Sequence, residues 1–523
     1  MSDRIAVFLI VLIMGVQGYG SASASDTVTL HLAITSDIHG WLSTSIVYPE
    51  RKRKGLLHIS PFLRQQRIKH PDLILLDAGD LLEGSPLSFY NHQFSRNSSD
   101  DEFLSFVNGL NYDAVTVGNH DLGLNPLFET RYVKRSRFAW LGANISRRGK
   151  PAFKPYVILI RNQVKIAIIG FTTPGVLMWM GPNQLQSLEI ESLKESARRW
   201  IKTINRTEKP DIIIGSFHAG INPFRDTEES KIKQIPPAND LRETLKAVPG
   251  FHLAVSGHDH RLNPSRSGGK VRYIENVPVI SGGCHGEAIV FADLTVARKN
   301  GSWHTQQVNV MVKKASQRKE ITDQYSSLIK RDYREYLNKE VPWLFTQTSP
   351  QNATICLNTL NALAQDEPGI DGTLFPHIKI RSVNSVANRR IKRSDLFKWL
   401  RYHNKPVGVK LSSRDLNLLN RHHQKSVEKP NLAGRSLFPW FKQLEEYEPE
   451  TTWLLNRSQY DKKYVIKISD YHFWGGGGVF SRLYLKDESL VKMSDVYLKD
   501  RLFDYLSAFR ELPEVCSFLY YQP

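Results

Sequence analysis

Cysteine is nearly missing from this chain. Its 523 residues hold three, Cys284, Cys356 and Cys516, too few for a disulfide framework to carry the fold. Pairing of Cys356 with Cys516 and buried free thiols both stay open. Long apolar runs are missing too: after the amino terminus none approaches the roughly 20 residues of a membrane-spanning helix. There is no internal repeat, and low complexity is confined to residues 475–478, which excludes a repeat array. Acidic residues are outnumbered by basic ones, 52 against 70, for a net charge of +18. What is present, 41% hydrophobic and 23% charged residues, argues against disorder and can bury an ample core in two or more domains.

The basic excess raises a nucleic-acid partner, because Lys and Arg release counterions from a phosphate backbone. The charge is spread, however. Its densest runs are Arg51-Lys52-Arg53-Lys54 and Arg389-Arg390-Ile391-Lys392-Arg393, and such runs are mostly solvated. A positive field also draws small phosphate anions to an enzyme, so no stable nucleic-acid complex is expected. The amino terminus carries Arg4, an apolar stretch over residues 5–16 and the small residues Ala22-Ser23-Ala24. This pattern predicts a signal peptide over residues 1–24, cleaved near Ala24 and too short for a comfortable span. The expected location is secreted or periplasmic, with no transmembrane anchor after cleavage; an uncleaved anchor is the alternative.

Five short clusters carry the chemistry: Asp37-Ile38-His39, Gly79-Asp80, Gly118-Asn119-His120-Asp121, Phe217-His218 and Gly257-His258-Asp259-His260. Each follows an apolar run, at residues 30–35, 73–76, 114–117, 212–214 and 253–255. The ligand-type residues therefore belong at the carboxyl ends of buried strands, where they can converge on one site. Singly, an Asp-x-His or Gly-Asp after a strand is more often a cap or a turn. Together and in this order they make a two-metal phosphoesterase layout. Phosphate esters resist hydrolysis because the nucleophile must approach an anion. Two cations about 3.5 to 4 Å apart neutralise that anion, generate the nucleophile and stabilise the leaving oxygen. One carboxylate should be shared between them, and the lone Asp80 suits that place. All donors are oxygen or imidazole nitrogen without thiolate, which suits Zn, Mn, Fe or Co more than a structural zinc.

In these motifs the chain resembles the 5'-nucleotidase family of calcineurin-like metallophosphoesterases, over about residues 27–300 and more faintly to about residue 490. The segment Gly79-Asp80-Leu81-Leu82-Glu83-Gly84-Ser85-Pro86-Leu87, and Val279-Ile280-Ser281-Gly282-Gly283 through Asp293-Leu294, look most like the periplasmic 2',3'-cyclic-nucleotide 2'-phosphodiesterase/3'-nucleotidases. The resemblance implies an α/β fold: a four-layer α/β/β/α sandwich over residues 25–314, a linking helix over 315–345 and a C-terminal α+β substrate domain over 346–523. The residue pattern agrees. Strands and helices alternate from 27 to about 312, residues 189–207 read as an amphipathic helix, and the polar stretch 319–338, without Pro or Gly, reads as the linker. The resemblance further implies two divalent metal ions, one held by Asp37, His39, Asp80 and His260, the other by Asp80, Asn119, His218 and His258. It places His120 beside the phosphate, stabilising charge or protonating the leaving alkoxide.

Relatives of this kind hold the nucleobase between two aromatic rings. Tyr402-His403-Asn404 looks like the first turn and Tyr471-His472-Phe473-Trp474-Gly475-Gly476 like the second, so Tyr402, Asn404 and Tyr471 are expected at the base. Stacking on an aromatic ring is worth about 1–3 kcal/mol to a flat base. Three departures bear on substrate. The 5'-nucleotidases usually place an Asp three residues after the motif His, to orient and charge it; here that position is Gly123, and the cyclic phosphodiesterases also lack an acid there. The ribose-gripping Gly-Gly-Asp-Gly-Tyr is Gly475-Gly476-Gly477-Gly478-Val479. The Asn-Ser-Gly-Gly-x-Arg segment is Asn384-Ser385-Val386-Ala387-Asn388-Arg389, which leaves Arg389 as its candidate substrate contact. The expected activity is hydrolysis of nucleotide substrates. A specific 5'-nucleotidase or nucleotide-sugar hydrolase would share every metal ligand; a nuclease and an inactive nucleotide-binding protein are the remaining alternatives.

Overall fold

The computed structural model describes residues 27–45, 54–94, 101–222, 230–231, 234–299, 301–316 and 327–345, then shorter stretches between 369 and 508. The expected signal peptide, Cys356, Cys516, Tyr402 and Tyr471 lie outside the described residues.

Side-chain alternation along the strand Thr27–Thr35 sets the layers. Leu30, Leu32 and Ile34 point to one face and Ala33 to the other, as a period of two requires. This strand lies inside a six-stranded sheet ordered Ser302–Lys314, Ala288–Lys299, Thr27–Thr35, Ile74–Asp77, Ala114–Thr116 and Ala139–Leu141. The last four are mutually parallel, and the two long strands close the edge as an antiparallel pair. A seven-stranded sheet follows the path Leu262–Asn263, Val277–Gly282, Leu253–Ser256, Ile212–His218, Val164–Thr172 and Tyr156–Arg161, with Arg272–Ile274 beside Val277–Gly282.

The inner faces of the two sheets meet in one core, where Leu30, Leu32 and Ile34 pack with Ile166, Ile168, Ile212 and Ile214. On the outer faces, helix Leu56–Lys69 covers the first sheet, and helices Leu193–Thr207 and Leu241–Ala247 cover the second. The result is four layers, α/β/β/α. Strands buried on both faces read as unbroken apolar runs, and each Leu or Ile taken from water contributes about 1.5–3 kcal/mol.

Two boundaries differ from the sequence reading. The helix expected at 189–207 starts only at Leu193, because the Ser192 hydroxyl accepts the Glu195 N–H and Leu188–Ile190 is a strand paired with Ile145–Arg147. The linking helix is described over Arg331–Asn338, where Tyr333 and Leu337 bury themselves in the first domain's core. Beyond it, Glu340–Phe345 is a strand, fixed by antiparallel pairing with Arg389–Lys392. The C-terminal part is α+β: a five-stranded sheet ordered Leu437–Phe441, Gly372–Pro376, Lys463–Ser469, Pro406–Ser412 and Leu490–Met493, with helices Arg393–Trp399 and Leu498–Ala508. No helix among the described residues is long and apolar enough to cross a membrane.

Candidate functional site

Each central strand hands its polar cluster to a tight turn just past its carboxyl end. The turns are strained: Asp37, His39, Asp80, His258 and His260 all take positive φ, between 51° and 74°. This left-handed backbone costs a side-chain-bearing residue about 1–2 kcal/mol, and such outliers gather at functional sites.

The imidazoles are oriented from behind. His39 Nδ1 donates to the Glu83 carbonyl at 2.7 Å, and His218 Nδ1 to the Ala78 carbonyl at 2.9 Å. A carbonyl can only accept, so each Nε2 is turned toward the centre. There His39 Nε2 stands 3.0 Å from His260 Nε2, which is 3.4 Å from Asp37 Oδ1. On the other side His218 Nε2 lies 3.0 Å from Asn119 Oδ1. Asp80 sits between the two sets. Its Oδ1 accepts the His120 N–H at 2.7 Å, while Oδ2 faces His218 Nε2 at 3.2 Å and His39 Nε2 at 3.8 Å. His258 joins the second set, its donor within 4.8 Å of those of Asp80 and His218, and its ring stacks on Trp179 at 5.3 Å. Separations near 3 Å are what ligand atoms show around an ion with bonds of about 2.0–2.2 Å.

The protonation balance fits a cation. Burial would push the Asp80 carboxyl up, but His218, His120 and His39 hold it well below its usual range. Burial disfavours the imidazolium of His218 and His120, yet Asp80 and its neighbours lift them to about 10 and about 9. Burial, reinforced by His218, drives His258 down to about 3. Protons on His218 and His120 thus offset the buried carboxylate charge, the part that divalent ions take over as the ligating imidazole sheds its proton. Asp80 is common to two groups whose donor atoms lie close enough to hold a cation, one with His218 and His258 and one with His39 and His120.

Asp121 does other work. Its carboxylate accepts the backbone N–H of Asp80 (3.0 Å), Leu82 (2.9 Å) and Gly118 (2.9 Å), tying two ligand turns together. A β-carbon on Gly118 would collide with the Asp80 carboxylate and backbone. Gly118→Ala should therefore cost about 1–3 kcal/mol of stability and lower metal content; thermal melts and elemental analysis check it, and a wild-type melting point with full metal would contradict this packing.

Three residues at the site escaped the sequence reading. Glu83 places Oε2 3.6 Å from His120 Nδ1. His285 sets its ring 5.4 Å from His39 and 5.7 Å from His260, and with them forms a further group able to hold an ion. Trp179 backs His258. Only His285 carried a usable signal, since it too follows a buried strand, Val277–Gly282. Of the expected substrate residues, Asn404 lies in the second domain, its carbonyl accepting the Leu498 N–H at 2.9 Å, and Arg389 opens the strand Arg389–Lys392. No described hydrogen bond or ion pair ties Asn404 to the His/Asp cluster.

The model of the calcineurin-like phosphoesterase family matches residues 30–262, the stretch that holds the five turns. Residues 30–262 are thus similar to the calcineurin-like phosphoesterases. The chain is 27% identical over 309 residues to the trifunctional nucleotide phosphoesterase protein YfkN of Bacillus subtilis, covering 54% of this chain and 21% of that protein. It is 24% identical over 318 residues to the 2',3'-cyclic-nucleotide 2'-phosphodiesterase/3'-nucleotidase of Haemophilus influenzae, covering 56% of this chain and 46% of the relative. The chain thus spans less than half the length of either relative. Among solved structures, the 5'-nucleotidase precursor of Thermus thermophilus superposes with a TM-score of 0.63 at 19% identity, over 93% of this chain and 97% of that one. That likeness is one of fold alone.

Proposed function

We propose that this chain is an exported two-metal phosphoesterase that hydrolyses nucleotides, acting on 2',3'-cyclic nucleotides and on the phosphomonoesters they yield. One observation carries the reading: a single buried carboxylate, Asp80, shared by two sets of oxygen and imidazole donors. The pair of divalent ions supplies a nucleophile at neutral pH and charge neutralisation of the phosphate. The chain's own residues do the rest. Asp37, His39 and His260 would hold one ion with Asp80; Asn119, His218 and His258 would hold the other. His120, partly exposed, is placed where its imidazolium can stabilise the phosphoryl charge or give its proton to the departing ribose oxygen.

Support for nucleotides comes from the names of the relatives and from the α+β domain that follows residue 346, which we read as the nucleotide-holding part. Glycine in place of acid at position 123 favours the cyclic-nucleotide branch over a 5'-nucleotidase. A panel of 2',3'-cyclic, 3'- and 5'-nucleotides and nucleotide sugars with added Mn, Co or Zn tests it. Turnover of the cyclic and 3' substrates is expected to exceed that of 5'-nucleotides, and hydrolysis confined to 5'-nucleotides would overturn the assignment. For the ring pair, Tyr402→Ala or Tyr471→Ala should weaken nucleotide binding by about 1–3 kcal/mol and leave hydrolysis of bis(p-nitrophenyl) phosphate nearly unchanged. Equal losses on both substrates would make these tyrosines supports of the fold.

A further inference from the structure

Position 123 lacks the carboxylate that would face His120, yet His120 does face one. Glu83, three residues past the shared Asp80 on a different turn, brings Oε2 to 3.6 Å from His120 Nδ1. The carboxylate is mostly buried, its side chain 14% exposed against 28% for the imidazole. Space for it exists because position 123 is glycine: a β-carbon there would come to 3.1 Å from Glu83 Oε2. The same residue turns its backbone carbonyl to His39 Nδ1 at 2.7 Å. One residue therefore reaches a metal-ligand histidine through its main chain and the phosphate-side histidine through its side chain.

We propose that Glu83 is the positioning residue for His120, supplying from the second turn the acid that position 123 lacks. Its carboxylate holds Nδ1, fixes the ring's orientation and leaves Nε2 for the phosphate. A buried pairing of this kind sets which nitrogen carries which proton, and removing such an outer partner ordinarily costs about 10–100-fold in activity or metal affinity. On helix Leu498–Ala508, Lys499 is set over Phe89 at 5.4 Å and Phe397 at 4.7 Å, and burial pushes its ammonium down to about 7, with the Glu83 carboxylate partly offsetting that shift.

This inference rests on His120 acting at the phosphate, and the experiment separates the two. Turnover of 2',3'-cyclic AMP and bis(p-nitrophenyl) phosphate is measured for Glu83→Gln, His120→Asn and the double variant, with metal content and circular dichroism for each. Glu83→Gln should lower kcat about 10–100-fold with KM within about twofold and metal retained. In the His120→Asn background it should cost nothing further, since a residue acting only through another has no effect once that partner is gone. Glu83→Ala combined with Gly123→Asp, which returns a carboxylate from the other side, should recover at least about tenfold over Glu83→Ala alone. Wild-type kcat in Glu83→Gln, or a full additional loss in the His120→Asn background, would overturn the role of Glu83. Near-normal turnover in His120→Asn itself would instead overturn the role given to His120.

Discussion

Asp80→Asn abolishes turnover and lowers metal content while the protein stays folded: that is the expected result for the carboxylate shared by two donor sets. Asp80 is 1% exposed and has no solvent to compensate it. The substituted amide can still accept the His120 N–H through its oxygen. It cannot present the second, anionic oxygen that faces His218 at 3.2 Å and His39 at 3.8 Å, and an NH2 there repels any cation those imidazoles bind. In the proposed arrangement both ions would lose a ligand at once, so the loss should be far larger than for a residue serving one of them. Circular dichroism would be native, elemental analysis would find depleted metal, and the rate would drop to background. Normal metal stoichiometry with near-normal activity would remove the shared-ligand arrangement altogether.

The site's donors were legible in the sequence for a specific reason. Asp37, Asp80, Asn119 and His258 each follow a strand buried on both faces, and His218 ends one, so the apolar run and the polar cluster are adjacent in the chain. Parallel pairing then aligns three carboxyl ends in the first sheet and two in the second, and the packing of the two sheets face to face brings the five together. What was not legible depends on contacts between turns. Glu83 meets His120 across a separation that no local spacing reveals, and the acid beside His120 in sequence, Asp121, points away from it because it sits where the helix Asn119–Gly123 needs its first amides capped. The same holds for the linker. The resemblance carries the linking helix to residue 345, yet Pro342 and the Val, Trp and Phe of Glu340–Phe345 disfavour a helix, and pairing with Arg389–Lys392, almost fifty residues on, makes it a strand.

His120→Asn should depress the chemical step by about 10²–10⁴-fold, the usual range for a positioned acid or base, with both ions retained. His120 is held at its amide by Asp80 Oδ1 at 2.7 Å and at its ring by Glu83, so its place next to the shared carboxylate does not require it to ligate. Asn keeps the backbone hydrogen bond and loses only the imidazolium. The loss should fall on kcat. It should also be larger for a ribose leaving group, which needs the proton, than for p-nitrophenolate, which departs as a stable anion. Comparing 3'-nucleotide with p-nitrophenyl phosphate therefore distinguishes proton donation from charge stabilisation alone: a loss that grows with leaving-group basicity marks His120 as the acid, and an equal loss marks it as a fixed positive charge at the phosphate. If elemental analysis instead found one ion missing in this variant, His120 would be a ligand, consistent with the donor group it forms with His39 and Asp80, and its assignment to the phosphate would fail.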